Sequence, residues 1–227
     1  MLTQLEMKQQ LLVALQENDM ETVRTLALQS RKMFSILVRL AYDKTSLTGW
    51  RAIKAIGQVS SIYVGNNYEF LRDSIRKLLW SLSDESGGIG WSAPEILGEI
   101  VSADPKKMAD IVPLIAEVYF VEEKVFRPGV LYALKRIGEA RPEAIEPFQD
   151  IALIGLSEQD SLARVYALEL LAMLKNTLDA SDLGKAKLKV AALRNDKTEV
   201  WIYKDDGFTG MEVKELADKV YAELNGN

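Results

Sequence analysis

The residues best placed to hold a ligand are two consecutive glycines. Gly87 and Gly88 precede Trp91 and the predicted start of a helix. Glycines in that place expose backbone N–H groups, which can hold an anion at the helix N-terminus. They also let a tight loop turn through positive φ. Because Asp84 and Glu85 beside them would repel an anion, we favour the conformational interpretation and keep anion binding as the alternative.

Two tryptophans form the second candidate. Trp50 and Trp91 occupy equivalent places in a repeated segment, so we expect them to stand in neighbouring repeats. A tryptophan brings a large apolar area with few torsions, which suits an interface anchor. A periodic aromatic residue equally suits core packing, and both interpretations stay open. With Arg51, Glu95 and Arg127 they would form a mixed patch that recognises a peptide rather than a catalytic site.

Histidine and cysteine are both absent from the sequence. Without them the chain has no thiolate nucleophile, no disulfide, no Ser-His-Asp triad and no ordinary zinc site. A magnesium site built from carboxylates would remain possible, but no clustered Asp-x-Asp pattern or phosphate-binding Gly-Lys-Ser/Thr loop supports one. We therefore predict no cofactor, no metal and a non-enzymatic role.

The charge is unevenly distributed along the 227 residues, which carry a net charge of −5. Residues 1–81 carry a net charge of +4 and residues 82–227 a net charge of −9. Such a division suggests a partner or a neighbouring subunit of matching polarity. The basic excess is too small to indicate nucleic acid. Since neither a membrane span nor a signal-peptide pattern is found, we expect a cytoplasmic protein with no membrane partner.

One segment recurs four times. The copies are 49–57, 90–98, 130–138 and 164–172, and a small residue falls at 52, 93, 133 and 167. The resulting periods of 41, 40 and 34 residues are typical of stacked helix pairs. The sequence therefore predicts an all-α solenoid in which each repeat contributes two helices.

The repeats define the predicted domain organisation. Residues 1–195 would form the solenoid, with an opening helix pair, a closing helix and repeats at about 30–66, 67–104, 105–141 and 142–176. Pro113 and Pro147 lie at one repeat position, which predicts a first helix bent around a proline. Residues 196–227 read as a β-hairpin followed by a helix, with a turn at Asp205–Gly207. The unpaired strand edges suggest homo-oligomerisation or capture of a partner strand.

The first-helix proline, the small residue and the Leu/Ile-Gly of the second helix make residues 30–175 resemble HEAT repeats. The segment 164–167, Arg-Val-Tyr-Ala, is similar to the short phycobilisome-lyase HEAT-like variant. The resemblance implies a right-handed superhelix whose second helices line a concave face that binds other macromolecules. Trp50 and Trp91 depart from it, because they stand where the family has a small or aliphatic residue.

The function we expect is a protein- or peptide-binding scaffold that uses this concave face. Its anchors would be Trp50 and Trp91, rimmed by Arg51, Glu95 and Arg127. The alternative is a DNA-binding enzyme, since the chain also resembles the alkylpurine DNA glycosylases built from HEAT-like repeats, which place Trp, Arg and Asp in a concave cleft. The acidic net charge and the absence of a basic groove argue against it. The bilin lyases that share the repeat name offer a weaker analogy.

Overall fold

A computed structural model describes residues 3–82 and 91–226 of the chain. These residues form twelve α-helices and one two-stranded antiparallel sheet, which confirms the prediction of a mostly helical chain with a small C-terminal hairpin. Gly87 and Gly88, with Asp84 and Glu85, lie outside the described residues, so the anion-site hypothesis stays a prediction.

The twelve helices follow one another as six pairs, each with a first and a second helix. The first helices are α1 (Gln4–Gln16), α3 (Lys32–Leu40), α5 (Tyr68–Leu82), α7 (Val112–Val121), α9 (Gln149–Gly155) and α11 (Ala180–Leu193). The second helices are α2 (Met20–Gln29), α4 (Leu47–Asn66), α6 (Ala93–Ser102), α8 (Arg127–Ala140), α10 (Ser161–Leu174) and α12 (Val213–Leu224). Single turns of 3-10 helix cover Lys124–Phe126, Pro142–Ala144 and Glu146–Phe148.

Each second helix packs on the second helix of the next pair, from α2 to α12, and these contacts are more extensive than those between first helices. The small residues of the repeated segment allow the close approach. A Cβ atom added to Gly98 would lie 2.5 Å from the Cα atom of Ala133, so α6 and α8 meet backbone to backbone. Residues Ala93 to Val101 of α6 are all buried, because neighbouring helices surround α6.

The first helices are not bent around prolines, and that prediction was wrong. Pro113 stands in the first turn of α7, and Pro147 lies in the 3-10 turn that precedes α9. A proline has no N–H to donate and its ring clashes with the preceding turn, whereas the first turn of a helix needs no donor. The shared repeat position therefore marks a helix start.

The hairpin lies between the two helices of the last pair. Strand β1 (Glu199–Lys204) pairs antiparallel with β2 (Gly207–Glu212), and Asp205 and Asp206 form the turn with positive φ angles. Two successive residues with positive φ form the turn whose twist matches that of the flanking strands. Helix α12 then packs against α10 and α11, in the place of a second helix. Along the described ranges, no helix is long and apolar enough to cross a membrane.

Candidate functional site

Trp50 lies in the first turn of α4 and is only 5% exposed. Its indole N–H donates to the carbonyl oxygen of Lys44 at 3.0 Å. Its ring meets Tyr132 edge to face at 5.3 Å and stacks on Tyr203 of the hairpin at 5.5 Å, with the two planes 3° apart. Of the two interpretations left open, core packing is the one that holds for Trp50. It does not offer a surface anchor, because the C-terminal hairpin covers its face.

Arg51 joins the first helix pair to the hairpin. Its guanidinium donates to the carbonyl oxygens of Leu15 and Gln16, at 3.0 and 2.6 Å, where α1 ends. It also donates to the carbonyl oxygen of Asp206 at 3.3 Å, in the hairpin turn. A cation satisfies the last carbonyls of a helix and complements its dipole. Arg51 is therefore held by backbone groups of this chain and does not rim an open patch.

Trp91 differs from its repeat partner, because its side chain is 50% exposed just before α6. Its carbonyl oxygen accepts a hydrogen bond from the Lys44 ammonium group at 2.7 Å, which ties this segment to the first repeat. The two tryptophans occupy equivalent repeat positions, but only Trp91 presents an indole surface to solvent.

Glu95 is buried, with 3% of its surface exposed, so it does not lie on a solvent rim as predicted. One carboxylate oxygen, Oε1, accepts from the Lys44 ammonium at 2.8 Å. The other, Oε2, has no hydrogen-bond partner within residues 3–82 and 91–226. It faces Gly129, where an added Cβ atom would lie 2.6 Å away. Glu95 thus acts in the packing of α6 on α8, and Gly129 provides the space that its carboxylate needs.

Arg127 stands at the start of α8 and connects the fourth helix pair to the fifth. It donates to Oε1 of Glu158 at 2.8 Å and to the carbonyl oxygen of Tyr119 at 3.2 Å. The hydroxyl of Tyr119 donates to the same Glu158 oxygen at 2.7 Å. Burial, followed by the hydrogen bond to Glu158, raises the pKa of Tyr119 well above its ordinary value. These contacts are structural and occupy the guanidinium of Arg127.

A buried carboxylate that the sequence interpretation missed organises the second helices. Glu99 of α6 is 2% exposed, and its Oε1 accepts from Lys54 at 2.8 Å, from Arg136 at 2.7 Å and from the hydroxyl of Tyr132 at 2.6 Å. These residues come from α4, α6 and α8, so the network, which we call the Glu99 cluster, ties three helix pairs together.

The charges in the Glu99 cluster compensate one another. Burial alone would raise the pKa of Glu99, but the Lys54 ammonium and the Arg136 guanidinium outweigh it and hold the pKa below its ordinary value. Burial, followed by the nearby Glu99 carboxylate, raises the pKa of the Tyr132 hydroxyl well above its ordinary value. The hydroxyl therefore remains a donor, and the carboxylate remains ionised between two cations.

When the repeated segments are aligned, one position indicates Lys54, a member of this cluster. Two residues after each small residue the chain reads Lys54, Glu95, Lys135 and Glu169, so the charge alternates from one second helix to the next. Lys135 pairs with Glu169 at 2.8 Å, as that alternation suggests. A pair between partly exposed side chains connects adjacent second helices but contributes at most about 1 kcal/mol to stability. Glu99 itself lies outside the alternation, and only the structure shows that Lys54 pairs with it.

An open groove runs beside the Glu99 cluster on the second-helix side. One part has a volume of about 230 Å³, and a neighbouring part of about 610 Å³ reaches α2. Both parts are lined by Gln58 and Ser61 of α4, and we name the whole the second-helix groove. Its lining residues are Met20, Glu21, Arg24, Lys54, Gly57, Gln58, Ser61, Ile62, Glu99, Ser102, Ala103 and Arg136.

The second-helix groove offers hydrogen bonding rather than reactive groups. Gln58 and Ser61 are exposed. The Gln58 amide both donates and accepts, whereas the Ser61 hydroxyl donates to the carbonyl oxygen of Gly57 at 3.2 Å and offers its oxygen as an acceptor. Glu99 is committed to two cations, so it is not a carboxylate with a raised pKa of the kind that general acid catalysis needs. Among residues 3–82 and 91–226, no three carboxylates converge in a way that could hold a metal ion.

Comparisons with known proteins find structures of similar fold but name no family. No family model and no curated protein matches the chain. The crystal structure of one engineered protein resembles it with a TM-score of 0.56 and 15% identity, over 90% of this chain and 50% of that one. A second engineered protein resembles it with a TM-score of 0.53 and 14% identity, over 97% of this chain and 96% of that one. The chain thus spans half the length of the first, and at these identities the likeness concerns the fold alone.

Proposed function

We propose that the chain is a right-handed solenoid of HEAT-like helix pairs and that it binds a protein or peptide along its second helices. Three features support the architecture. The second helices pack in chain order, they approach more closely than the first helices, and small residues such as Gly98 and Ala133 stand where they meet. Closer packing on one side of a stack curves it toward that side, so the second helices would line the concave face.

The observation that carries the binding function is the second-helix groove with its exposed polar side chains. Gln58 and Ser61 lie in both of its parts and point to solvent, while Lys54 and Arg136 are held in position by Glu99. Ordered donors and acceptors along a groove suit the backbone of an extended peptide. Trp91 adds a half-exposed indole where α6 begins, so it is the member of the predicted tryptophan pair that remains an anchor.

A substitution that fills the second-helix groove tests this function. In Ser61→Trp an indole would occupy the space shared by its two parts, and in the matched control Ser181→Trp the same residue would replace an exposed serine of α11. Affinity purification from the native host with quantitative mass spectrometry should recover partners with the wild type and the control, and lose them with Ser61→Trp. Equal recovery by all three proteins would contradict the assignment.

The same three proteins also test the alternative function, which is DNA binding. We expect no binding of a fluorescent DNA duplex at low salt, because Lys54 is already paired with Glu99, and Arg136 with both Glu99 and Glu139. DNA binding that Ser61→Trp abolishes and Ser181→Trp preserves would instead support the glycosylase-like function.

A further inference from the structure

A second groove lies between the first helices α3 and α5. Its volume is about 470 Å³, and we name it the first-helix groove. The apolar side chains that line it are Phe34, Val38, Tyr42, Phe70, Leu78 and Trp80. Phe34 and Phe70 form its floor edge to face, with ring centres 5.6 Å apart. None of these residues belongs to the second-helix groove.

The rim of the first-helix groove is basic. Arg39 stands on the α3 side and Lys77 on the α5 side, and both are exposed. Neither forms an ion pair within the described parts of the chain, and no described lining residue is acidic. Two other cations of α5 are paired, since Arg72 contacts Asp110 and Arg76 contacts Asp73. Among the described residues, Arg39 and Lys77 are thus cations at the groove that are not in an ion pair.

An adjoining groove extends the same character along α3. It lies between α1 and α3, has a volume of about 400 Å³, and shares Ser35 and Arg39 with the first-helix groove. Its further cations are Lys8 and Lys32, and it too has no acidic residue among its described lining. The sequence from Ser30 to Tyr42 contains no Asp or Glu. Apolar surface thus lies on both sides of α3. The basic side chains beside it are Lys8, Lys32, Arg39 and Lys77.

We propose that the first-helix groove binds an amphipathic helix of a partner protein that carries acidic residues beside its apolar face. The apolar floor begins at Phe34 of α3 and ends at Tyr42, two residues beyond the helix, a length of about 12 Å at the helical rise per residue. A partner helix that places apolar side chains at i, i+3, i+4 and i+7 covers a similar length. Carboxylates flanking that face would meet Arg39 and Lys77, which form no ion pair within residues 3–82 and 91–226. This surface is additional to the second-helix groove and does not depend on it.

The test uses the full chain and three synthetic helical peptides labelled with fluorescein. The first carries Leu and Phe at i, i+3, i+4 and i+7 with Glu at the flanking positions, the second has Lys in place of Glu, and the third is a scrambled form of the first. Fluorescence anisotropy should show binding of the Glu peptide, with an affinity at least about tenfold above those of the Lys and scrambled peptides. Similar affinities for all three would overturn the proposal.

Charge reversal at the rim identifies the site. The double variant Arg39→Glu, Lys77→Glu should weaken the Glu peptide about tenfold and improve the Lys peptide. The double variant Lys106→Glu, Lys197→Glu changes the net charge equally at exposed positions away from the groove, and should change neither affinity. Equal losses of affinity for the Glu peptide in both double variants would overturn the assignment of its binding site to the first-helix groove. Binding to vesicles of anionic lipid that depends on Arg39 and Lys77, with no peptide binding, would replace the helical partner by a membrane surface.

Discussion

Replacing Glu99 by glutamine is the sharpest test of how the second helices are held together. The substitution keeps the shape of the side chain but removes the charge that Lys54 and Arg136 share. Removing one partner of a fully buried ion pair costs about 3–5 kcal/mol. Here the cations are 31% and 25% exposed, so water can partly solvate them once the carboxylate is gone. We therefore expect the free energy of unfolding to fall by about 3 kcal/mol, at the lower end of that range.

The matched variant is Lys54→Met, which removes one cation and keeps the carboxylate. Glu99 would still be paired with Arg136 and would still accept from Tyr132, so the cost should be about 1 kcal/mol. Urea unfolding followed by circular dichroism measures both values at neutral pH. The cluster would not be organised around Glu99 if Lys54→Met destabilised the protein as much as Glu99→Gln did.

The effect of Glu99→Gln should also depend on pH, with a sign set by the shifted pKa. The folded state holds the pKa of Glu99 below its ordinary value of 4.5. A carboxyl with a lowered pKa stabilises the folded state fully above its unfolded pKa, and this contribution is lost as the pH falls through the folded pKa. The difference in unfolding free energy between wild type and Glu99→Gln should therefore be constant from about pH 6 to 8 and shrink below about pH 4.5. A difference that persisted unchanged in acid would refute the role of the charge.

Two further predictions follow from the packing. Gly98→Ala should destabilise the protein by about 1–3 kcal/mol in the same urea assay, because its Cβ would lie 2.5 Å from the Cα of Ala133. Gly65→Ala meets no atom within 4 Å and should be neutral or slightly stabilising, so equal losses in the two variants would contradict the close approach of α6 and α8. Replacing residues 199–212 by a short Gly-Ser loop should uncover Trp50 and increase quenching of tryptophan fluorescence by acrylamide. Because the strand edges are the proposed contact between copies, light scattering should also give a lower molar mass, and an unchanged mass would rule out oligomerisation through the strands of the hairpin.

Much of the helical content could be predicted from local pattern. The repeated segment 130–138, for example, lies within α8, because apolar spacing acts within one helix. The hairpin was also predictable, since its turn residues are adjacent in sequence. Pro113 and Pro147 lie at helix starts, where proline is tolerated, and the sequence alone is compatible with that placement.

The candidate site was less predictable, because its contacts join distant parts of the chain. The burial of Trp50 depends on Tyr203, and the organisation of Lys54 depends on Glu99 and Arg136. Glu95 looked like a rim residue because glutamate is usually exposed, and only its place between α6 and α8 makes it buried. Alternating charge at one repeat position was the available clue, and it indicates packing between repeats rather than a ligand.

The contact of the hairpin with the first repeat has a consequence for how the molecule unfolds. When each helix pair touches only its neighbours, stability is a sum of local terms, and the ends can fray or unfold separately. Here Tyr203 on Trp50 and Asp206 on Arg51 join the last helix pair to the second one, so neither end can separate without breaking contacts at the other. The chain is therefore expected to lose its structure in one cooperative transition, with amide protons of α4 and α12 exchanging at similar rates.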